Sequence, residues 1–247
     1  MSLSRNSNIQ QTYSKRTTGF TLIEMAIVLL IITLMVSSAI GPLGAQIELR
    51  RRADTQKALD EIKEALMGYA VANGTLPCPS ALASGIPTGF ALTSCNSTNS
   101  SGYLPWATLG VTRQDAWGNL FNYGVSPSFT TAFSLSTTRS ITIQSRDNNG
   151  STFNLSITND IPAVVFSHGA NAYGAMSSDG ILRFTPPGFS ANNPDEYTNS
   201  TSSTVFFSRT PAPAGTNPAT GGEFDDLMVW ISPNILFNRM VAAGRLP

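Results

Sequence analysis

Phe20 to Ile40 is a run of 21 residues with a single charge, Glu24. At 1.5 Å per residue it makes a helix about 30 Å long, the thickness of a bilayer core. A chain that opens this way folds around one long apolar helix, and that helix needs lipid or other helices to cover it. A carboxylate within such a run is costly unless it is paired, so Glu24 calls for a partner. Lys15 and Arg16 precede the run and favour a cytoplasmic leader by the positive-inside rule. The basic cluster Arg50-Arg51-Arg52, ten residues beyond the span, pulls the other way. An ordinary secretory signal is the competing reading, with Ser37-Ser38-Ala39 as a small-x-small cleavage site. Against it, the run is long for a signal peptide and carries an acid.

Charge is sparse, at 12% of residues, whereas Asn, Ser, Thr and Gly abound, a composition suited to an extracytoplasmic β-rich domain. Residues 1–19 hold Arg5, Lys15 and Arg16 and no acid, which leaves 12 basic against 15 acidic residues in the remainder. That mildly acidic remainder gives no electrostatic footing for nucleic acid as a partner. Cys78 and Cys95 lie 17 positions apart. In an oxidising compartment they form a disulfide; in a reducing one they are two thiols without a special role. No other Cys or His stands near enough in sequence to make a metal site of them.

Past the apolar run, Gly41, Pro42 and Gly44 predict a kink or a locally unwound segment. Helical periodicity then resumes, with Leu59, Ile62, Leu66 and Tyr69 forming one apolar stripe and Asn73-Gly74 a stop signal. One long interrupted helix is expected from Phe20 to about Asn73. Residues 74–110 read as loop-rich. Asp115–Val125 reads as a turn into a strand, and the segments flanking Asp147-Asn148-Asn149-Gly150 as a hairpin. Ile161–Gly169 and "DDLMVWIS" read as strands, with short ones at "GILRF" and "TVFF". Residues 185–222 read as a long surface loop, and "PNILFNRMVAAG" as a C-terminal helix with Pro233 near its start. The expected fold class is α+β: a long N-terminal helix, half transmembrane and half amphipathic, packed on an antiparallel sheet, with a short C-terminal helix.

"GFTLIEM", residues 19–25, after basic residues and ahead of a long apolar run, resembles the N-terminus of type IV pilins and type II secretion pseudopilins. The resemblance implies a type IV pilin-like fold. It also implies cleavage after Gly19 by a prepilin peptidase, methylation of the new terminus at Phe20, and an assembly role for Glu24. In that family's assembly scheme Glu24 meets the new α-amino group, its own or a neighbour's. The domain plan that follows is a leader at 1–19, a membrane or filament-core helix at 20–40, an amphipathic helix at 41–73 and a periplasmic β-rich domain at 74–247.

Further along, "DAWGNLFNY", "FSHGANAYG" and "NNPDEYTN" are similar in order to the C-terminal region of major pseudopilins, where an acidic loop binds calcium. That similarity implies calcium candidates at Asp195 and Glu196. Read without it, the same residues fit a solvated polar loop, since no regular ligand spacing is visible. An insertion before Asp195 and the length of chain from Phe224 onward depart from the subfamily pattern. Asp225-Asp226 read equally well as turn caps. His168, the one histidine, follows Ser167 at a strand end; adjacent Ser-His is no triad, and no Gly-x-Ser-x-Gly elbow, phosphate loop, HExxH or CxxC occurs.

The function expected is therefore not enzymatic. The chain reads as a structural subunit, a pilin or pseudopilin of the minor kind, anchored by one pass in the inner membrane with its C-terminal domain in the periplasm. It would then join a pilus or pseudopilus. Its partners would be the prepilin peptidase, other pilin or pseudopilin subunits and an inner-membrane assembly platform. No cofactor other than the calcium at Asp195 and Glu196 is expected. The alternative is a secreted or membrane-tethered extracytoplasmic binding or adhesion domain.

Overall fold

The computed structural model describes residues 19–246, and residues 38–43 by backbone alone. The leader expected at 1–19 lies outside the described residues except for Gly19. The chain divides into two compact units at Ile47/Glu48. Helix α1, Leu22–Asn73, carries its helical backbone through Gly41, Pro42 and Gly44. The unwound segment expected there does not form: a proline deletes one hydrogen bond, and the ladder is intact on both sides of it.

In the first unit, every described side chain of residues 20–37 is exposed. Thr33 donates its hydroxyl to the carbonyls of Leu29 and Leu30, so this polar group is satisfied within the helix. Among the described residues no helix is long and apolar enough to cross a membrane. The side chains of 38–40, the end of the span expected at 20–40, lie outside the description.

In the second unit the chain continues through β1 (Ser80–Ala83), β2 (Ile86–Ala91), β3 (Ser101–Tyr103), α2 (Trp106–Leu109) and β4 (Asn122–Val125). Next come β5 (Thr142–Arg146), β6 (Thr152–Asn154), β7 (Ala163–Ser167), α3 (Phe189–Asn192) and α4 (Pro194–Thr201). The last elements are β8 (Val205–Phe207), β9 (Leu227–Trp230) and α5 (Pro233–Ala242). The principal sheet, β3-β4-β7-β9, is antiparallel throughout. The hairpin β5–β6 forms at Asp147–Gly150, where Asp147 Oδ1 accepts from the amides of Asn149 and Ser151. The expectation of a purely antiparallel fold fails at one pair: β8 joins the hairpin in parallel with β5.

The principal sheet is buried on both faces. Along β7 the side chains alternate, as a strand's must: Ala163 and Val165 enter one core, Val164 and Phe166 the other. The first core brings in Leu59, Ile62, Leu66 and Ala70 of α1 with Leu236, Phe237 and Met240 of α5. The second brings in Ile143 of β5 and Phe206 of β8. The stripe expected on α1 is thus the buried one, except that Ala70 takes the place given to half-buried Tyr69.

Helix α1 ends where Asn73-Gly74 predicts. Gly74 donates to Ala70 with a left-handed φ of 77°, and Arg245 donates to the carbonyls of Val71 and Ala72, closing the orphan end of the helix with a cation. Residues 74–110 are less loop-like than expected, because β1 and β2 make a hairpin through Ser84-Gly85. Both turn residues have positive φ, the geometry of a two-residue turn matched to strand twist. Cys78 and Cys95 are joined in a disulfide at the base of this segment, with Cα atoms 5.8 Å apart. The loop it closes spans 17 positions, and losing the cross-link costs about 3 kcal/mol in the chain-entropy account. The double variant Cys78→Ser/Cys95→Ser is expected to fold with an unfolding free energy lowered by that amount, measured by urea titration against the oxidised protein.

Candidate functional site

The N-terminal candidates come first. Gly19 and Phe20 precede α1 and are exposed, Phe20 at 83%. Glu24 sits in the first turn and folds back on Thr21: the Thr21 amide and hydroxyl donate to Glu24 Oε2 at 2.9 and 3.0 Å, and the Glu24 amide donates to the Thr21 hydroxyl at 3.3 Å. This is a capping box, Thr-x-x-Glu, in which each side chain satisfies an amide that the helix leaves without a partner. The sequence signal for it is the three-residue spacing of Thr21 and Glu24 in "TLIE" at the head of an apolar run.

The second candidate lies at the end of β7. Residues 185–222, expected as a surface loop, instead contain two short helices, and the first turn of α4 drives Asp195 and Glu196 into the interior, both 0% exposed. The two acids part company there. Asp195 is held by arginines: the Arg146 guanidinium donates to it from Nε and Nη2, the latter at 2.7 Å. Arg209 Nε lies 2.9 Å from Asp195 Oδ2, an ion pair whose N–H is not aligned as a hydrogen bond. Arg209 also stacks 4.5 Å over the Phe224 ring, and its Nη2 donates to the Gly222 carbonyl. An acid claimed by two cations is not free to bind a third, so the reading of Asp195 as a calcium ligand is not supported by its surroundings.

Glu196 faces away, toward Asp225 and Asp226 in the segment just before β9. One ligand oxygen or more from each of these three lies within 4.8 Å of the others. Each is also held from the protein side, although Asp225 Oδ1 and Asp226 Oδ1 have no hydrogen-bond partner among the described residues. Glu196 accepts from the Asn171 side-chain amide at 2.9 and 3.1 Å and from the Asp225 backbone amide at 2.9 Å. Asp225 Oδ2 accepts from the amides of Ala170 and Asn171, so this residue does cap a turn, the one that leaves β7. Gly169 in that turn has φ of 62°, and a side chain on it would collide with the Asp225 carboxylate. Asp226 Oδ2 accepts from Asn199 at 2.7 Å.

His168 is wholly buried beside this group, with Nδ1 3.6 Å from Asp226 Oδ1. Its neighbour Ser167 points the other way, donating to Asp115 Oδ2 at 2.6 Å. Asp115 also receives the amides of Trp117 and Asn119, which fastens the Asp-Ala-Trp-Gly turn to the end of β7. The structure therefore separates Ser167 and His168 rather than pairing them. Asn171, Asn199, Arg146 and Arg209 carried no sequence signal, since each meets its acid only through tertiary contact.

A family model, the prokaryotic N-terminal methylation motif, matches residues 14–40. It is the prepilin-type signal found on type IV pilins and pseudopilins, and it supports a type IV pilin-like processed subunit in general. No curated protein and no solved structure matches the chain.

Three clustered acids leave a signature in the pH dependence of stability. Burial first, then repulsion from Asp226, pushes the Glu196 carboxyl up to about 9, and burial pushes Asp225 up to about 6. The folded state thus holds protons that the unfolded chain releases at ordinary carboxylate values, so stability falls as pH rises. The window for Glu196 runs from the unfolded value near 4.5 to about 9; that for Asp225 closes at about 6. In chelator-treated protein, Tm is expected to drop between pH 6 and 9, and Glu196→Gln to flatten that drop. Calorimetry at four pH values with both proteins checks this, equal slopes being the contrary result.

Proposed function

We propose that this chain is a prepilin-type structural subunit, a minor pilin or pseudopilin. On this reading it enters the inner membrane by residues 20–40, is cut after Gly19 by a prepilin peptidase and methylated on Phe20. It then assembles with other pilin-like subunits on an inner-membrane platform. The observation that carries the reading is the methylation motif over residues 14–40 together with an apolar helical segment whose described side chains are all exposed. A helix with no polar face is not soluble alone; lipid before assembly and packed helices after it are the two environments that cover it. Residues 1–19 serve as the leader, 41–73 as the amphipathic continuation of the helix, and 74–247 as the periplasmic domain displayed on the outside of the fibre.

Glu24 acts here as a register device. A charge buried in apolar surroundings is tolerated when it is paired, and the amine created at Phe20 is the partner that cleavage supplies. The capping box gives a way to separate this role from a purely local one. Glutamine preserves the box, because its side-chain oxygen accepts the same amide, but it carries no charge.

Glu24→Ala and Glu24→Gln are both expected to be inserted and processed normally, and both to reduce fibre recovery at least about tenfold. Normal assembly of Glu24→Gln with failure of Glu24→Ala would assign the residue to helix capping alone. Gly19→Arg is expected to leave the leader attached, and intact-mass measurement of the mature chain reads this directly. A wild-type terminus at Ile40 in place of methyl-Phe20 would instead support ordinary signal cleavage and a secreted binding domain.

A further inference from the structure

We propose that the cavity between the turn of the β5–β6 hairpin and the segment 209–220 binds one residue of a neutral saccharide. The inference goes beyond assembly and is independent of it, since every residue it uses lies in the second unit.

The walls supply the first argument. The cavity measures about 270 Å³, with Arg146, Asp147 and Asn148 on one side and Arg209, Thr210, Pro211 and Pro213 on the other. The two sides are held against each other, because a side chain on Gly150 would collide with the Ala219 carbonyl in the turn Pro218–Thr220. Ligand pockets run from about 300 Å³ upward, so this one suits a single sugar ring and not a longer chain. Pro211 and Pro213 give one wall a rigid apolar surface against which the C–H face of a ring can lie.

The polar groups supply the second. The Arg209 side chain is only 7% exposed and is fixed by its stacking on Phe224 and by Nη2 donating to the Gly222 carbonyl. Its Nη1 has no partner among the described residues, and its buried Nε has no aligned acceptor. Asp147 is fixed through Oδ1, which accepts the amides of Asn149 and Ser151, while Oδ2 accepts nothing. The Asn148 amide and the Thr210 hydroxyl, both on exposed residues, likewise make no hydrogen bond to the described residues. One cavity thus presents a guanidinium donor, a carboxylate acceptor, and an amide and a hydroxyl that do both. Neighbouring hydroxyls on a sugar ring each donate and accept, which is the complement of that mixed set. The arginine and the carboxylate are oriented before a ligand arrives, so binding orders little there.

Charge decides between a neutral and an acidic sugar. Arg146 and Arg209 bring two positive charges, and Asp195 beneath them and Asp147 at the rim bring two negative ones. Glu196 adds none at neutral pH, its carboxyl being pushed up to about 9. The surroundings are balanced, and a carboxylate or phosphate on the ligand would be desolvated without an uncompensated cation to meet it.

The test uses the full chain in a detergent without a sugar headgroup. Saturation-transfer NMR with glucose, galactose, mannose, N-acetylglucosamine and fucose, each at about 10 mM, is expected to show transfer to at least one of them. Titration of that sugar into the double variant Asn148→Ala/Thr210→Val is expected to show at least about tenfold weaker binding, with Tm unchanged. Glucuronate is expected to bind the wild type more weakly than the preferred neutral sugar. Asp147→Asn, which keeps the Oδ1 acceptor and removes the charge, is expected to move that preference toward glucuronate by about two- to fivefold. Folded wild-type protein that shows no transfer to any of the five sugars would overturn the proposal. So would undiminished binding in the double variant, which would place the sugar elsewhere, or wild-type binding of glucuronate as tight as that of the neutral sugar.

Discussion

The strand Ala163–Ser167 is buried along its whole length, and the arrangement of the globular unit follows from covering both of its faces. A strand with one solvated face alternates apolar and polar residues, whereas this one reads Ala-Val-Val-Phe-Ser, with no polar position until its last residue. One face takes the apolar stripe of the first helix and the C-terminal helix. The other takes the second sheet, whose parallel strand Val205–Phe207 delivers Phe206 against Phe166, with ring centroids 5.5 Å apart. The first helix and the second sheet are thus two answers to the same burial requirement. Neither face of the strand offers polar atoms a place, and a group of buried acids lies where the strand ends.

That end is where the acids gather. Ser167 and His168 are the first residues past the apolar stretch, and each meets a buried acid on its own side, Asp115 and Asp226. The fold handles its buried carboxylates in two ways a few ångströms of chain apart. Asp195 is neutralised by arginines from two strands' ends, a pairing that compensates desolvation with direct Coulomb attraction and bidentate geometry. Glu196 is surrounded by amide donors and by two further acids, so hydrogen bonds orient it without cancelling its charge. The contrast between adjacent residues is what gives the second group chemical interest. A fold that merely tolerated acids here would be expected to treat both alike.

How much of this was legible in the sequence depended on whether the signal was local. The apolar run, the stripe Leu59-Ile62-Leu66, the Asn73-Gly74 stop, the Asp147–Gly150 hairpin and the Pro233 helix start all rest on neighbours within a few residues, and each appears in the structure. The hairpin through Ser84-Gly85 was hidden by the prolines at 77, 79 and 87, which argue against strands although Pro87 stands within one. Residues 185–222 looked like a loop because they are rich in Asn, Pro, Thr and Gly. Their helices are short, and buried ion pairs to Arg146 and Arg209 hold the second one in place, which composition does not encode. For the site, the sequence supplied Glu196 but paired it with its chain neighbour. The partners that matter are 29 and 30 positions away, and only the return of the chain along the central strand brings them in.

The N-terminal acid shows a local and a distant role in one residue. Its carboxylate is already folded toward the start of the helix by Thr21, so it lies on the side where cleavage after Gly19 would create an amine. Thr21 engages Oε2, and the carboxylate has a second oxygen, Oε1, with which to meet a charge. On the proposed reading the capping box therefore does more than begin the helix. It fixes the side-chain rotamer before a partner arrives, so that a neighbouring subunit meets an acid that is already oriented. The conformational entropy of that side chain is spent when the helix forms, not when subunits meet. An acid placed anywhere deeper in the apolar run would lack Thr21 and the free helix end, and would have to be oriented during assembly itself. The position of Glu24 in the first turn is thus set by the helix terminus as much as by the partner, which ties the residue that starts the helix to the contact that would align one helix with the next.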